Sequence, residues 1–207
     1  MSKYVKIEDS TDPWMIDESN GLWTLGKNAT IAVAGEAAIN IAAGNTGNMI
    51  RLKGDLEASG AGSEGLRMEG DDTIVQIRES SLIDAEDGIY NSSAGSTIKN
   101  SGIVAGKDRG IASDSAIDIV NKGKVSADAA VGVLGDSSVT NLKGGLIEGD
   151  TVGVRISTFG SANIVNDGKI MAEGLAVHVN SAGSSTLTNN GKIIGDVQFG
   201  SGNDRID

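Results

Sequence analysis

Cysteine is absent from this sequence, and proline and histidine each occur once. Without cysteine there are no disulfide staples, no thiolate metal ligands and no thiol nucleophile. Aromatic residues make up only 3% of the chain. A core without large rings has to be built from Val, Ile, Leu and Ala, in thin layers. No apolar run approaches the roughly 18 residues of a membrane-spanning helix. The first nine residues, Met1 to Asp9, have no apolar stretch of the kind a cleavable secretory signal needs. Helical periodicity is missing throughout, which removes helical bundles and helical repeats.

What the sequence has in quantity is acid and glycine. Its 17 basic and 28 acidic residues give a formal charge of −11, and 30 of 207 residues are glycine. The charge disfavours nucleic acid and anionic membrane as electrostatic partners and suits a solvated acidic exterior.

The segment 1–28 differs from the rest. It holds Trp14, Trp23, Tyr4 and Pro13, and bulky residues gathered at one end suit a cap over an exposed core. From residue 29 to 207 the texture is uniform, with short alternating apolar runs between Gly, Asn, Asp and Ser. Runs starting at residues 30, 49, 73, 97, 118, 139, 163 and 186 lie 19 to 24 residues apart. A second marker keeps the same beat: Gly65-Leu66, Gly88-Ile89, Gly110-Ile111, Gly132-Val133, Gly153-Val154 and Ala176-Val177. A phrase of the form Asn-x-Gly-x-(Ile/Val) recurs at Asn100, Asn121, Asn166 and Asn189, and with one extra residue at Asn141. Leucine is too sparse for a leucine-rich repeat. The period and residue types predict an all-β fold, a single-stranded right-handed parallel β-helix (β-solenoid) of about eight coils. The Asn column should form an amide ladder, with each Asn-x-Gly glycine relieving a corner through positive φ.

This pattern resembles the right-handed parallel β-helices of bacterial autotransporter passengers and secreted adhesins, over residues 29–199. The chain's end, Gly200-Ser201-Gly202-Asn203-Asp204-Arg205-Ile206-Asp207, resembles the nonapeptide of repeats-in-toxin proteins, with Phe199 in place of the first glycine. That resemblance implies Gly200, Gly202 and Asp204 as half of a calcium site, since a hard cation needs 6–8 oxygens. It also implies a natural chain continuing past Asp207 into more such repeats. A weaker echo is Gly70-Asp71-Asp72-Thr73-Ile74.

Catalytic constellations are sparse. His178 lies between Val177 and Val179, whose alternation turns it outward without a fixed partner. Lys124, Lys169 and Lys192 share a place in their coils, interrupted by Leu146, and read as solvated cations. Lys107-Asp108-Arg109 is the most charged turn; Glu148, Asp150 and Arg155 are scattered charges. Gly60 to Gly65 has the glycines of a phosphate loop but neither its Lys-Ser/Thr ending nor the following helix. No catalytic or cofactor-binding residue is assigned. The expected function is a non-enzymatic structural or adhesive module of a secreted or cell-surface bacterial protein, with no nucleic-acid partner and no membrane insertion. A polysaccharide or cell-surface ligand and end-to-end or homo-oligomeric association are the expected partners. The alternatives are a polysaccharide lyase or epimerase, and a calcium-responsive module of a type I secreted protein.

Overall fold

The structure, a computed structural model, describes residues 2–158 and 160–207. Among these the regular structure is all strand, arranged in two parallel sheets of ten and eleven strands. The ten-stranded sheet is built from short segments of one alternating pattern, among them Met49–Leu52, Ile74–Ile77, Ser96–Asn100, Ile117–Asn121, Ser138–Asn141, Asn163–Asn166 and Thr186–Asn189. Each pairs in parallel with its counterpart one repeat later, as in Ile98↔Ile119 and Val139↔Ile164. The second sheet is dominated by long strands, Leu82–Asn91, Ile103–Ser113, Lys124–Leu134, Leu146–Thr158 and Lys169–Ser181. Register slips near Ala85, Ala105 and Ala127 mark where these strands bend. A coil therefore has three faces: one short strand and the two halves of a bent long one. In an earlier coil the two halves are separate strands, Asp55–Ser59 and Glu64–Met68. They are joined through Gly60 and Gly62, both at positive φ. The chain is a right-handed parallel β-solenoid of about nine turns, with about 4.8 Å between coils.

The phase of the repeat differs from the sequence expectation at its start. Thr30–Ala34 is not the first member of the short sheet but pairs with Asp55–Ser59 in the other one. On the short sheet, Met49–Leu52 is preceded by Leu22–Leu25, and that by Lys3–Lys6. The count is therefore about nine turns rather than eight.

The core follows from alternation repeated in register. Ile31, Leu56, Ile83, Val104, Val125, Ile147 and Ile170 stack one above another across seven coils, and all are fully buried. At the first coils the aromatics gather: Tyr4 stacks on Trp23 at 3.9 Å between centroids, and Trp14 meets Trp23 edge-on at 5.6 Å. In the last coil, Val197 and Ile206 are 39% and 60% exposed.

The asparagine ladder forms as expected. Asn100 Nδ2 donates to Asn121 Oδ1 (2.9 Å), Asn121 to Asn141 (2.9 Å), Asn141 to Asn166 (2.8 Å) and Asn166 to Asn189 (2.7 Å). Asn100, the first rung, accepts at Oδ1 from its own Gly102 N–H at 3.0 Å. Before it, the same column is aliphatic: Leu25, Leu52 and Ile77. The glycines that follow each rung are needed for a different reason from the one expected. None of Gly102, Gly123, Gly168 and Gly191 is at positive φ. Each instead lies so close to carbonyls of the preceding coil that a Cβ would overlap them, for example Gly123 on Gly102 O and Gly191 on Gly168 O. Stacking distance, not turn conformation, selects glycine there. Only the extra residue of the Asn141 repeat, Gly144, needs positive φ, at +89°.

Asn141 is fully buried and engaged on both sides. Asn141→Leu keeps the branched shape, with somewhat more bulk, but strands Asn166 Oδ1 and removes a partner of Asn121. We expect a loss of roughly 2–4 kcal/mol in urea unfolding. Asn189→Leu, at the ladder's end, should lose less. Equal, negligible losses at both positions would show the ladder to be energetically idle.

Candidate ligand-binding face

The residues implied as a calcium half-site lie in the turn entering the strand Arg205–Ile206. Asp204 Oδ1 accepts the backbone N–H of Ser185 at 2.9 Å. That position belongs to a column seen along the rod. Asn48 Oδ1 accepts from Gly21 N, Ser96 Oγ from Thr73 N, Ser137 Oγ from Ile117 N and Ser185 Oγ from Ala162 N. In each case a short polar side chain ahead of a strand satisfies the coil before it, so the Asp204 carboxylate has a role inside the fold. Gly202 sits at φ +133° against the backbone of Gly183, and Gly200 lies against Ser181. Among the described residues, no three His, Asp or Glu side chains come together in a way that could hold a metal ion. In the weaker echo, Asp71 Oδ1 accepts from Ala94 N at 2.8 Å.

Charged and aromatic chemistry concentrates elsewhere, on the outer side of the second half of the long strands. Register stacks Asn40, Arg67, Tyr90, Ala112, Gly132, Arg155, His178 and Gln198 in one outward column. Beside it run Glu64, Asp87 and Arg109. The guanidiniums of Arg67 and Arg109 lie 5.5 and 5.8 Å from the Tyr90 ring centre. Arg109 grips the buried Asp87 with two bonds, 2.9 and 2.5 Å, and Arg67 meets Glu64 at 2.6 Å. Tyr90 donates its hydroxyl to Asp114 at 2.6 Å, which raises the phenol's pKa. The same hydrogen bonding to carboxylates raises the pKa values of Arg67 and Arg109, so both stay cationic. A Tyr between two guanidiniums, each held by a buried carboxylate, is a rigid strut.

Past this strut the side chains shrink. Ala112 and Gly132 occupy the column before Arg155, and a Cβ at Gly132 would meet nothing within 4 Å. Arg109, Ser113, Asp114, Leu134, Arg155 and Ser157 rim the resulting depression of ≈ 380 Å³. Arg155 is exposed and has no carboxylate within ion-pair distance among the described residues. His178 follows it in the column, and its pKa is lowered first by burial and then by Arg155.

The other charged candidates are dispersed. Register places Lys169 beside Lys192 on a different face, as expected, while Lys124 pairs with Glu148 at 2.8 Å. Lys107, Asp108 and Asp150 are exposed. Of the charged turn 107–109, only Arg109 joins the cluster. Sequence reading missed Arg67, Asp87, Tyr90 and Asp114, which, with Arg109, come from three successive coils. Only the repeat register could have aligned them. Comparison with protein-family models, curated proteins and solved structures finds no match to this chain.

The lowered pKa of His178 fixes a sign. Just below the ordinary histidine value, the unfolded chain binds a proton that the folded chain resists. Stability therefore falls on acidification through that window and recovers as the pH rises. We expect imidazole NMR titration to place His178 below an unfolded histidine and Arg155→Gln to move it part of the way back. A midpoint at or above the unfolded value would contradict this placement.

Proposed function

We propose that the chain is a non-enzymatic structural and adhesive module, a stiff rod of a secreted or cell-surface bacterial protein that holds a glycan with its Arg155 face. One observation carries the reading. Where titratable groups are densest, around the Tyr90 strut beside the depression, each carboxylate already has a partner: Asp87 has Arg109, Asp114 has Tyr90 and Glu64 has Arg67. Acid–base or lyase chemistry needs a group poised to exchange a proton with substrate. What is left for a ligand is recognition chemistry: the exposed Arg155 fork, serine hydroxyls, the half-exposed Leu134 and a floor of small residues. A planar guanidinium suits a carboxylate or vicinal hydroxyls. The depression is shallow and open to solvent, which favours reversible contact over the water exclusion that catalysis exploits. The resemblance of the coils to adhesin and autotransporter β-helices supports the same reading.

The test is a glycan-binding screen on the intact chain, with acidic and neutral oligosaccharides. We expect ligands to be retained and Arg155→Gln to weaken them roughly tenfold, the worth of one charge-assisted contact. Release of shortened, unsaturated oligosaccharides on incubation would overturn the non-enzymatic reading in favour of a lyase, and inversion at C5 of the uronate without cleavage would overturn it in favour of an epimerase.

A further inference from the structure

The rod's charge is sorted rather than spread. Lys53, Arg78, Ser101 and Lys122 each follow directly on a short-sheet strand. Each donates its backbone N–H to the strand end one coil back: Leu25 O, Leu52 O, Ile77 O and Asn100 O. These side chains therefore stand in one file along a corner, with about 4.8 Å between successive coils. On the adjoining outer face of the short sheet, Arg51, Gln76 and Lys99 stack in register. Lys27, Lys53, Arg78, Ser80 and Ser101 line a depression of ≈ 520 Å³ in that corner, with Glu79 as its only carboxylate. The corner and its adjoining column thus gather six cations, Lys27, Arg51, Lys53, Arg78, Lys99 and Lys122, on a protein whose net charge is −11.

Little inside the fold consumes these cations. Lys122 reaches Glu79 at 3.7 Å, and both are well exposed. Among the described residues, Lys27, Arg51, Lys53, Arg78 and Lys99 have no carboxylate within ion-pair distance. Arg78 donates to Gln76 at 3.2 Å, and Arg51 Nε has no hydrogen-bond partner. Like charges one coil apart repel, so the file opposes the stacking that builds the rod unless a counter-charge lies along it.

We infer that this corner binds a linear acidic polysaccharide, with its carboxylate or sulfate groups running parallel to the rod axis. The polymer would pass Lys53, Arg78 and Lys122 in turn, with Arg51 and Lys99 alongside. The site is distinct from the Arg155 depression and does not depend on it. The chemistry favours a polysaccharide over other polyanions. No aromatic residue lies among the side chains of the corner or the adjoining file, so bases would have nothing to stack on. The basic strip is one file and a neighbouring column wide, and acidic surface beyond it repels the dense charge of a duplex.

The intact chain is titrated with polygalacturonate and with heparin, a uronate and a sulfated probe, at low and raised ionic strength. Binding is expected at low salt, falling steeply as salt increases. The triple variant R51Q/K53Q/R78Q should lose at least tenfold in affinity with a melting temperature equal to or above that of wild type, since it also relieves repulsion within the file. K169Q/K192Q and R155Q, on other faces, should bind as wild type, which separates this corner from the Arg155 depression. Should the triple variant fold poorly, K99Q/K122Q serves in its place and should still lose several-fold. Absence of binding by both polymers overturns the inference. So does full affinity in the corner variants, or tighter binding of a DNA oligonucleotide than of either polysaccharide.

Discussion

The close parallel stacking of coils is the constraint on which the rest of the molecule depends. Every backbone group along the rod is offered a partner one coil above and one below, at about 4.8 Å. Any side chain that repeats in register therefore meets its own counterpart. Aliphatic residues do this readily and make the continuous Ile–Val–Leu columns of the core. Polar residues can do so only when donor and acceptor alternate along the column. An amide meets that condition with separate atoms, Nδ2 donating and Oδ1 accepting, which suits asparagine to the buried polar column from Asn100 to Asn189. It also explains why its first rung needs Gly102 N–H as a separate donor, since Ile77 beneath it supplies none.

The same closeness decides the glycines. Where the chain turns after each rung, successive backbones approach until no Cβ fits, and glycine recurs at Gly102, Gly123, Gly145, Gly168 and Gly191. At the bend of the long strand the demand is softer. A Cβ at Gly88, Gly110 or Gly153 would lie 2.5 Å from a carbonyl oxygen of the next coil, yet Ala130 and Ala176 occupy that very column. Small backbone shifts admit a methyl group there and nothing larger. The column thus tolerates two residue types where the corner tolerates one.

These facts explain what could be read in the sequence and what could not. The solenoid, its period and the Asn ladder were legible because their cause is local and repeated: one residue type at one spacing, coil after coil. Errors arose where a repeat carried two equally good phases. Thr30 begins an alternating run as convincing as that of Met49, yet belongs to another face. Leu22 and Lys3, the true counterparts of Met49, lie among atypical neighbours. Gly132 likewise keeps the Gly-Val beat, but register gives its expected place to Ala130 and moves Gly132 to the outer surface. The Tyr90 strut was invisible for the opposite reason. It draws Arg, Glu, Asp and Tyr from successive coils without keeping one type at one place in the repeat, so no repetition announces it.

Net charge misled in a related way. A value of −11 describes an average, whereas a solenoid projects residues 20-odd positions apart onto the same file. Lys53, Arg78 and Lys122 are unremarkable in sequence, each followed or preceded by polar residues typical of any turn. Stacked, they form a field that a partner would meet as one object, because Lys53 and Arg78 lie one coil apart, inside the roughly 8–10 Å screening length at ordinary salt, and Lys122 follows two coils on, at about that length. The acidic remainder acts in the same direction. At the proposed site it would repel bulky polyanions at long range while leaving one narrow track open, so the excess of acid would sharpen the selectivity of the basic corner instead of cancelling it.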